Sequence, residues 1–574
     1  MPDPSHDRPP SGNAEAGGDA PEEPAPGASA AAAADEPTEA FISGAEAGMA
    51  SRVKRGVAWF MANLLLGRGL SFVAFVVLGL ILDKDVFGVW ATAFALSVFA
   101  QIFKDGGVVY LLPQRGEREF AAIVGPVFWM ALAFNLGVAA LLAALAYPAA
   151  AHFGRAEFVP ILLGIALAVP LGTPASVYTA TLQMRLRFPT ISRISMASSV
   201  LRNVTLVAGA VGGLGPMSFV VPMIVGAVFE SAAGYAATRE RPWTRGPGLA
   251  RWPELFHASK WLIVTVLAYA GFNQGGYLAM GLIAPSDQVG VFFFAYQLVL
   301  QADNLLHYGV GFVLFGAFSR IAHEHERAQA AAVRSARALA IIAAPATIGL
   351  AVCFAPLERA VWGGKWAEAG FAAAVIALFC TWRIVFAVPS SAAQARGRWR
   401  FHAVTTLVGG AGTMLAIFVG ALVRPTADAA GVAMAASMVL VLGGLYVFGM
   451  GRLGVPARRS VGAVLPPWLV GVVAAACVLG AAHLAAGYLA GLEHTVGRLC
   501  VRLAAWAGAG PRAAARAGTT GAACVTLLLL GVAFAKLYLV GLRVLAPGAV
   551  RDALALAPAR LRPHAERFLM MRAA

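Results

Sequence analysis

"ILDKDVFGVWATAFAL" occupies residues 81–96, and "IAPSDQVGVFFFAYQL" occupies residues 283–298. Laid over each other without a gap, they set Asp85 on Asp287, Gly88 on Gly290, Val89 on Val291, Ala93 on Ala295 and Leu96 on Leu298. In the same register Gly107 and Val108 meet Gly309 and Val310. Each copy closes one apolar run, turns through polar residues and opens another. A second pair follows: "LQMRLRF" from Leu182 and "AQARGRW" from Ala393 match Gln183, Arg185, Arg187 and Phe188 to Gln394, Arg396, Arg398 and Trp399. The longer loop "APLERAVWGGKWAEA" from Ala355 helps absorb the small change of offset. A D-x-x-G turn before one helix is common punctuation in membrane proteins. Two motifs in one order, on the same relative helices, read as a duplication.

The rest of the chain fits a membrane protein. Of 574 residues, 59% are hydrophobic and 13% charged, and the mean hydropathy is +0.72. Soluble chains carry about 25% charge. Apolar runs long enough to cross about 30 Å of hydrocarbon fall at 56–82, 87–112, 120–147, 158–182, 190–214, 217–238, 257–284, 288–318, 335–355, 368–394, 402–423, 427–450, 461–491 and 519–542. The expectation is therefore an all-α integral membrane protein with about fourteen transmembrane helices. Six helices separate each motif from its copy. An even number keeps the orientation, so the copies form two parallel six-helix lobes related by an axis along the membrane normal.

The organisation expected is an acidic disordered tail at 1–50, an N-lobe at 51–239, a cytoplasmic linker at 240–256 and a C-lobe at 257–452. Two extra C-terminal helices lie within 453–545, followed by a basic tail at 546–574. The first fifty residues hold too little apolar surface to offset their ordering entropy, and they lack the basic and apolar regions of a signal peptide. Lys and Arg number 44 against 29 Asp and Glu, a net charge of +15. The arginines gather in alternate loops: "SRVKR", "QRGER", "RLR", "RERPWTRGPGLAR" and "RGRWR". That bias places those loops, and both termini, in the cytoplasm. The scatter of these cations between apolar runs argues against nucleic-acid binding. The segment 492–518 breaks the bias with four arginines, and "HTVGRLCVRLAAWAG" within it has the pattern of an amphipathic interfacial helix. Five widely spaced cysteines (Cys353, Cys380, Cys477, Cys500, Cys524) read as small hydrophobes rather than a metal or redox motif.

Five stretches in order, "ILDKDVFGVWATAFALSVFAQIFKDGGV", "ATLQMRLRF", "SDQVGVFFFAYQL", "WGGKWAEAG" and "AQARGRWRF", resemble the polysaccharide transporter family of Wzx-type oligosaccharide flippases, in the superfamily that also holds the MATE exporters. The resemblance covers roughly residues 55–450. It implies a bacterial inner-membrane protein moving a polyprenyl-pyrophosphate-linked oligosaccharide from the cytoplasmic to the periplasmic leaflet. The product would enter exopolysaccharide, capsule or O-antigen, beside other polysaccharide assembly proteins and among membrane lipids. Relatives often carry an acidic residue in the seventh helix where this chain has Gly276, so an ion-coupling role there does not carry over.

Charges inside apolar runs are costly and invite a functional reading. Arg68, with Asn63, lies in the first run, Arg202 and Asn203 in the fifth and Arg383 in the tenth. As fixed-fork cations and amides they are candidates to line the cleft and hold a pyrophosphate; the alternative is buried ion pairing or bonding to backbone carbonyls. Asp303 and His307, one turn apart, and Glu230 are candidates for H+ or Na+ coupling, against the plainer reading of satisfied polar pairs. Lys104 and Asp105 suit a helix break. Asp85, Gly88, Asp287 and Gly290 are expected to cap helix starts and allow close helix approach. Arg185, Arg187, Arg396 and Arg398 are expected to anchor helix ends at lipid phosphates. No cofactor or metal is expected, since neither a phosphate-cradling G-x-x-x-x-G-K-[ST] loop nor a Cys/His cluster is present. Two other functions stay open. One is a membrane glycosyl polymerase or ligase, for which the outer loops look too short. The other is a small-molecule exporter, against which the embedded arginines argue by repelling cationic cargo.

Overall fold

The computed structural model describes residues 66–507 and 509–545, apart from the side chains of a few stretches, chiefly 258–266 and 305–313. Among the described residues there are helices and no strands. The first half holds α1 (Leu66–Ile81), α2 (Lys84–Ala100), α3 (Leu111–Phe153), α4 (Phe158–Leu171), α5 (Thr173–Met184), α6 (Phe188–Val211) and α7 (Val221–Thr238). The second holds α8 (Trp252–Gly281), α9 (Ser286–Arg320), α10 (His325–Trp362), α11 (Ala369–Val385), α12 (Ala387–Ala395), α13 (Trp399–Val423), α14 (Ala427–Ser437) and α15 (Gly444–Arg452). Three more follow: α16 (Ala457–Leu484), α17 (Ala486–Trp506) and α18 (Pro511–Leu545).

Eleven helical stretches among the described residues are long and apolar enough to cross a membrane, against about fourteen expected. The described part of α1 is shorter, and α8 and α9, of 30 and 35 residues, stand in the seventh and eighth expected places. The chain is a multi-pass membrane protein.

Several spans are built from two helices, for local reasons. Pro174 cannot donate to the carbonyl of Pro170, and the stretch Phe158–Met184 breaks at Gly172 between them. Pro389 likewise leaves Val385 without its partner, and α11 gives way to α12 at Phe386. In both halves the break lies shortly before the Q-x-R-x-R motif. The expected helix break at Lys104 and Asp105 is real. After α2 the chain tightens into a 3₁₀ segment, Gln101–Tyr110, where Asp105 takes a left-handed φ of 57°. Buried Asn135 of α3 secures it. Its Oδ1 accepts from the Asp105 amide at 2.9 Å, and its Nδ2 donates to Asp105 Oδ1 at 2.6 Å and to Thr173 Oγ1 at 2.8 Å.

Helices α3 to α7 pack among themselves, as do α8, α10, α11, α13 and α14; between the halves the main packing is α2 on α9. Gly276 of α8 lies against α13: a Cβ there would lie 2.6 Å from Ile417 Cδ1, so a larger group would have to displace the end of the Ile417 side chain. Helices α16 and α18 pack on α10, fixed by Tyr538 Oη donating to the Ile341 carbonyl at 3.0 Å.

The C-terminal region departs from the expected boundaries. The thirteenth span ends at Leu484 rather than near 491, and the anticipated amphipathic helix is α17. It pairs with α18: a Cβ on Gly518 would lie 3.0 Å from the Gly497 carbonyl oxygen, and Thr526 Oγ1 donates to Glu493 Oε1 at 2.6 Å. None of its residues is buried.

Candidate functional site

The duplicated D-x-x-G turns meet. A Cβ on Gly88 would collide with the carbonyl oxygen of Ser286, the residue before Asp287. A Cβ on Gly290 would collide with the carbonyl oxygen of Lys84, the residue before Asp85. Each copy therefore has glycine where the other's backbone presses closest, and α2 and α9 cross there with their starts in contact. The same turn is needed twice because each copy is half of one seam.

The seam is reinforced from both halves. Arg155, between α3 and α4, donates to both carboxylate oxygens of Asp85, at 2.9 and 2.5 Å, and to Ser286 Oγ at 2.7 Å. Ser286 in turn donates to Asp85. The capping role expected of the two aspartates is thus corrected. Asp83 and Pro285 hold the N-cap positions without side-chain capping, Asp85 serves Arg155, and Asp287 lies exposed, accepting from Gln288 Nε2 at 3.2 Å.

The loop after α10 closes over the end of α1. The last carbonyls of a helix have no intrahelical partner. Here Trp366 Nε1 donates to the Gly79 carbonyl at 2.9 Å, and Lys365 Nζ donates to the carbonyls of Leu82 at 2.8 Å and Leu80 at 3.4 Å. A cation at this end also suits the helix dipole. Trp362 Nε1 donates to the Val76 carbonyl at 3.1 Å. Beneath them the Trp366 and Phe294 rings lie parallel, 3.9 Å apart. On the orientation read from the arginines, this seam is on the outer side.

Most of the embedded charges prove to be partnered. Arg202 Nη2 meets Glu230 Oε1 at 3.0 Å, and Ser198 Oγ donates to the same oxygen at 2.5 Å. Two separate candidates, one for cargo and one for coupling, are therefore one ion pair. It borders a cavity of about 310 Å³ lined also by Gln101, Lys104, Asp105 and Gln183. All these residues belong to the N-terminal half, whereas the sequence places the chamber between the lobes. Asn203 Nδ2 links α6 to α1 through Ser71 Oγ at 3.4 Å.

In the other half, Arg383 Nε donates to Asp303 Oδ2 at 3.1 Å, Nη1 donates to Tyr296 Oη at 2.7 Å and Nη2 donates to Asn273 Oδ1 at 3.4 Å. This pair is 8% and 2% exposed. The partner of Asp303 is thus Arg383; the side chain of His307 and the whole of Asn63 lie outside the described residues. Arg68 is half-buried in α1. Since Arg202 and Arg383 each face a carboxylate, neither pair adds net charge. The electrostatic argument against a cationic cargo loses those two residues. Among the described residues no three His, Cys, Asp or Glu side chains cluster to hold a metal.

The two arginine motifs lie in different surroundings. Arg185 pairs with Glu240 at 2.7 Å and Glu117 at 3.7 Å, over the Phe120 ring. Arg187 Nη1 donates to the Ala237 carbonyl at 3.0 Å. Arg185 is thus held by carboxylates of the protein rather than left for lipid phosphates, whereas Arg187 stays exposed. Glu240 opens the linker, which lies on α3: Arg245 Nη1 donates to the Ala121 carbonyl at 2.8 Å and Trp129 Nε1 to the Arg245 carbonyl at 2.9 Å. By contrast, Arg396 Nη2 is buried with no hydrogen-bond partner, and Arg398 is exposed. Ser390 Oγ and His402 Nδ1, 3.0 Å apart, lie close by in sequence.

Sequence reasoning missed the residues that bind the seam: Arg155, Ser286, Trp362, Lys365 and Trp366. Arg155 and Lys365 were visible as cations on the sparsely charged outer side, where each asks for a reason. Asn135, a lone amide in an apolar run, carried a similar signal.

Residues 77–370, just over half the chain, match the family described as polysaccharide biosynthesis protein. The teichuronic acid biosynthesis protein TuaB of Bacillus subtilis (strain 168) is 24% identical over 361 residues, spanning 60% of this chain and 72% of that protein. Among solved structures, the lipid II flippase MurJ in an inward closed conformation aligns with a TM-score of 0.60 at 12% identity, covering 73% of this chain and 92% of MurJ. An inward-facing multidrug resistance MATE family transporter of the MOP superfamily aligns with a TM-score of 0.55 at 12% identity, covering 70% of this chain and 98% of that one. At such identity the structures speak for the fold alone. The family match and the shared fold lead to one conclusion: the chain belongs to the polysaccharide biosynthesis protein family, and its helices are arranged as in those two structures.

Proposed function

We propose that this protein is a transporter, a flippase that carries a polyprenyl-pyrophosphate-linked oligosaccharide from the cytoplasmic to the periplasmic leaflet of a bacterial inner membrane. The observation that carries this reading is the reciprocal seam at Gly88 and Gly290, within a chain of a polysaccharide family. Two parallel lobes closed together at one end of a membrane form one state of an alternating-access cycle. Opening requires the seam to part. The hydrogen bonds of Arg155, Lys365, Trp362 and Trp366 would break together, releasing a lipid-anchored headgroup outward while its tail stays in the bilayer. Coupling to H+ or Na+ would draw on Glu230 or Asp303, and each must first leave its arginine.

One observation favours a second reading. With Arg202 and Arg383 neutralised, a small cation is less strongly opposed than their bare charges imply, which suits an exporter. Deleting the gene separates the two. The flippase reading expects lipid-linked oligosaccharide to accumulate on the cytoplasmic leaflet and surface polysaccharide to disappear. Normal translocation with heightened sensitivity to cationic drugs would favour the exporter; normal translocation with polymer lost would point to a polymerase or ligase.

A further inference from the structure

Helices α17 and α18 form an arm that outlasts the helix it leans on. The C-terminal part of α18 runs antiparallel along α10: Tyr538 Oη donates to the Ile341 carbonyl at 3.0 Å, and Thr520 Oγ1 donates to the Ala360 carbonyl at 3.2 Å. Helix α10 ends at Trp362, whereas α18 reaches back without a break to Pro511. Helix α17 climbs beside it, with Glu493 3.8 Å from Arg359 and a Cβ on Gly518 lying 2.7 Å from Val501 Cγ2. Some nine residues of α18 therefore pass the level of Thr520, about 14 Å at 1.5 Å per residue.

That level is the edge of the hydrocarbon. Around the same end of α10, Lys84 meets Glu368 at 2.8 Å and Lys365 meets Asp83 at 3.4 Å, and such charges are costly any deeper. The headgroup layer adds only about 5–8 Å on each side, so the tip of the arm clears it.

The tip is cationic. Arg498 and Arg502 of α17 and Arg512 and Arg516 of α18 are all exposed, and no Asp or Glu occurs from residue 494 to 520. Among the described residues none of these four guanidinium groups has a hydrogen-bond or ion-pair partner. Each helix carries its two arginines one turn apart, and like charges at that spacing destabilise a helix. Trp506, 89% exposed, stands one turn beyond Arg502, with Leu503 at 56% on the turn before it. On the orientation read from the arginines, this tip faces outward, where cations are otherwise sparse.

We propose that the tip of the α17–α18 arm binds a saccharide chain that carries carboxylates, at the outer face of the membrane. Lipid phosphates lie beneath the tip. Guanidinium pairs with carboxylate oxygens through a fixed fork, and four such groups suit a repeating acidic chain, which gains from each added contact. The exposed indole, with Leu503, offers an apolar surface with a polar edge for the face of a sugar ring. The saccharide rests on the flippase reading, which brings one to this face; the cationic site does not.

The test uses the full chain in discs of zwitterionic lipid and measures the binding of three soluble probes: an oligogalacturonate, an uncharged dextran of equal length and a polyglutamate of equal charge. The oligogalacturonate should bind best. Arg498→Gln, Arg502→Gln, Arg512→Gln and Arg516→Gln together should weaken it by at least about tenfold, the loss of several exposed ion pairs. That variant should melt no lower than the parent, since no internal partner is lost and two like-charge pairs are removed. Trp506→Ala should weaken the oligogalacturonate by about threefold and leave the polyglutamate unchanged. Adding phosphatidylglycerol to the discs should leave binding intact at physiological salt, which screens the membrane's own charge over about 8 Å. The proposal is overturned if the oligogalacturonate does not bind, if either other probe binds as well, or if the variant lacking the four arginines binds like the parent or melts lower. It is overturned too if Trp506→Ala weakens both acidic probes alike or not at all, or if phosphatidylglycerol abolishes binding, which would give the arginines to lipid headgroups. Failure here with intact leaflet-to-leaflet transport would remove the site and spare the flippase reading. Binding as expected, with normal translocation after deletion of the gene, would do the reverse.

Discussion

On the orientation read from the arginines, the two copies of the D-x-x-G turn lie against each other at the outer ends of α2 and α9, and the two copies of the arginine motif lie apart at the inner ends of α5 and α12. The outer glycines are matched because each gives clearance to the other copy, so changing either damages one shared contact. The inner arginines face no such reciprocity, and their neighbours have diverged into a carboxylate cluster around Arg185 and an unpartnered Nη2 on Arg396. Even within the outer turn, Asp85 holds Arg155 while Asp287 is exposed. Duplication thus preserves equivalence where the copies touch.

The same contrast orders the effects of substitution. The largest is expected in the middle of the C-terminal half. Arg383→Met leaves Asp303 buried and uncompensated and should cost about 3–5 kcal/mol, read as thermal melting in detergent. The N-terminal pair is half-exposed beside its cavity, so Arg202→Met should cost about 1 kcal/mol or less. Equal losses would mean that the two pairs lie at equal depth. Next comes the seam. Gly88→Leu and Gly290→Leu should each cost about 1–3 kcal/mol by overpacking, and both should abolish surface polysaccharide in a complementation assay. A tolerated substitution at one position and not the other would break the reciprocity. Asp85→Asn should cost about 1 kcal/mol through Arg155, whereas Asp287→Asn should stay within about 0.5 kcal/mol of the parent. The smallest contrast lies in the inner turns. Leu186 and Gly397, at matching positions, both take left-handed φ angles, 53° and 69°. Leu186→Gly should stabilise, and Gly397→Leu destabilise, by about 1 kcal/mol, because a left-handed φ is costly for leucine.

What could be read from the sequence follows from the same physics. Repeats, spans and the sidedness of arginines are local or periodic properties, so the two halves and the break at Asp105 were legible. Helix α17 was legible as a helix separate from the spans, though not its pairing with α18. Partners across helices were not. Asp303 and His307 share a helix face by spacing, but which neighbouring helix that face meets depends on tertiary rotation, and it meets Arg383. Arg202 and Glu230 stand 28 residues apart and form a pair only because α6 and α7 fold back on each other. The closing loop was hidden for another reason. The role of "WGGKW" needs the carbonyls at the end of α1, which stand some 285 residues away in sequence.

The central claim is that the seam between α2 and α9 parts during transport. Asp85→Cys with Ser286→Cys places one thiol on each side, at residues whose side chains now touch. Joining them with a short bifunctional thiol reagent in cells, and then measuring lipid-linked oligosaccharide in each leaflet, tests the claim directly. The account predicts that the cross-link halts translocation while the two proteins with one added cysteine each, and the parent with its five native cysteines, treated alike, keep transporting. Undiminished translocation in the cross-linked protein would contradict it.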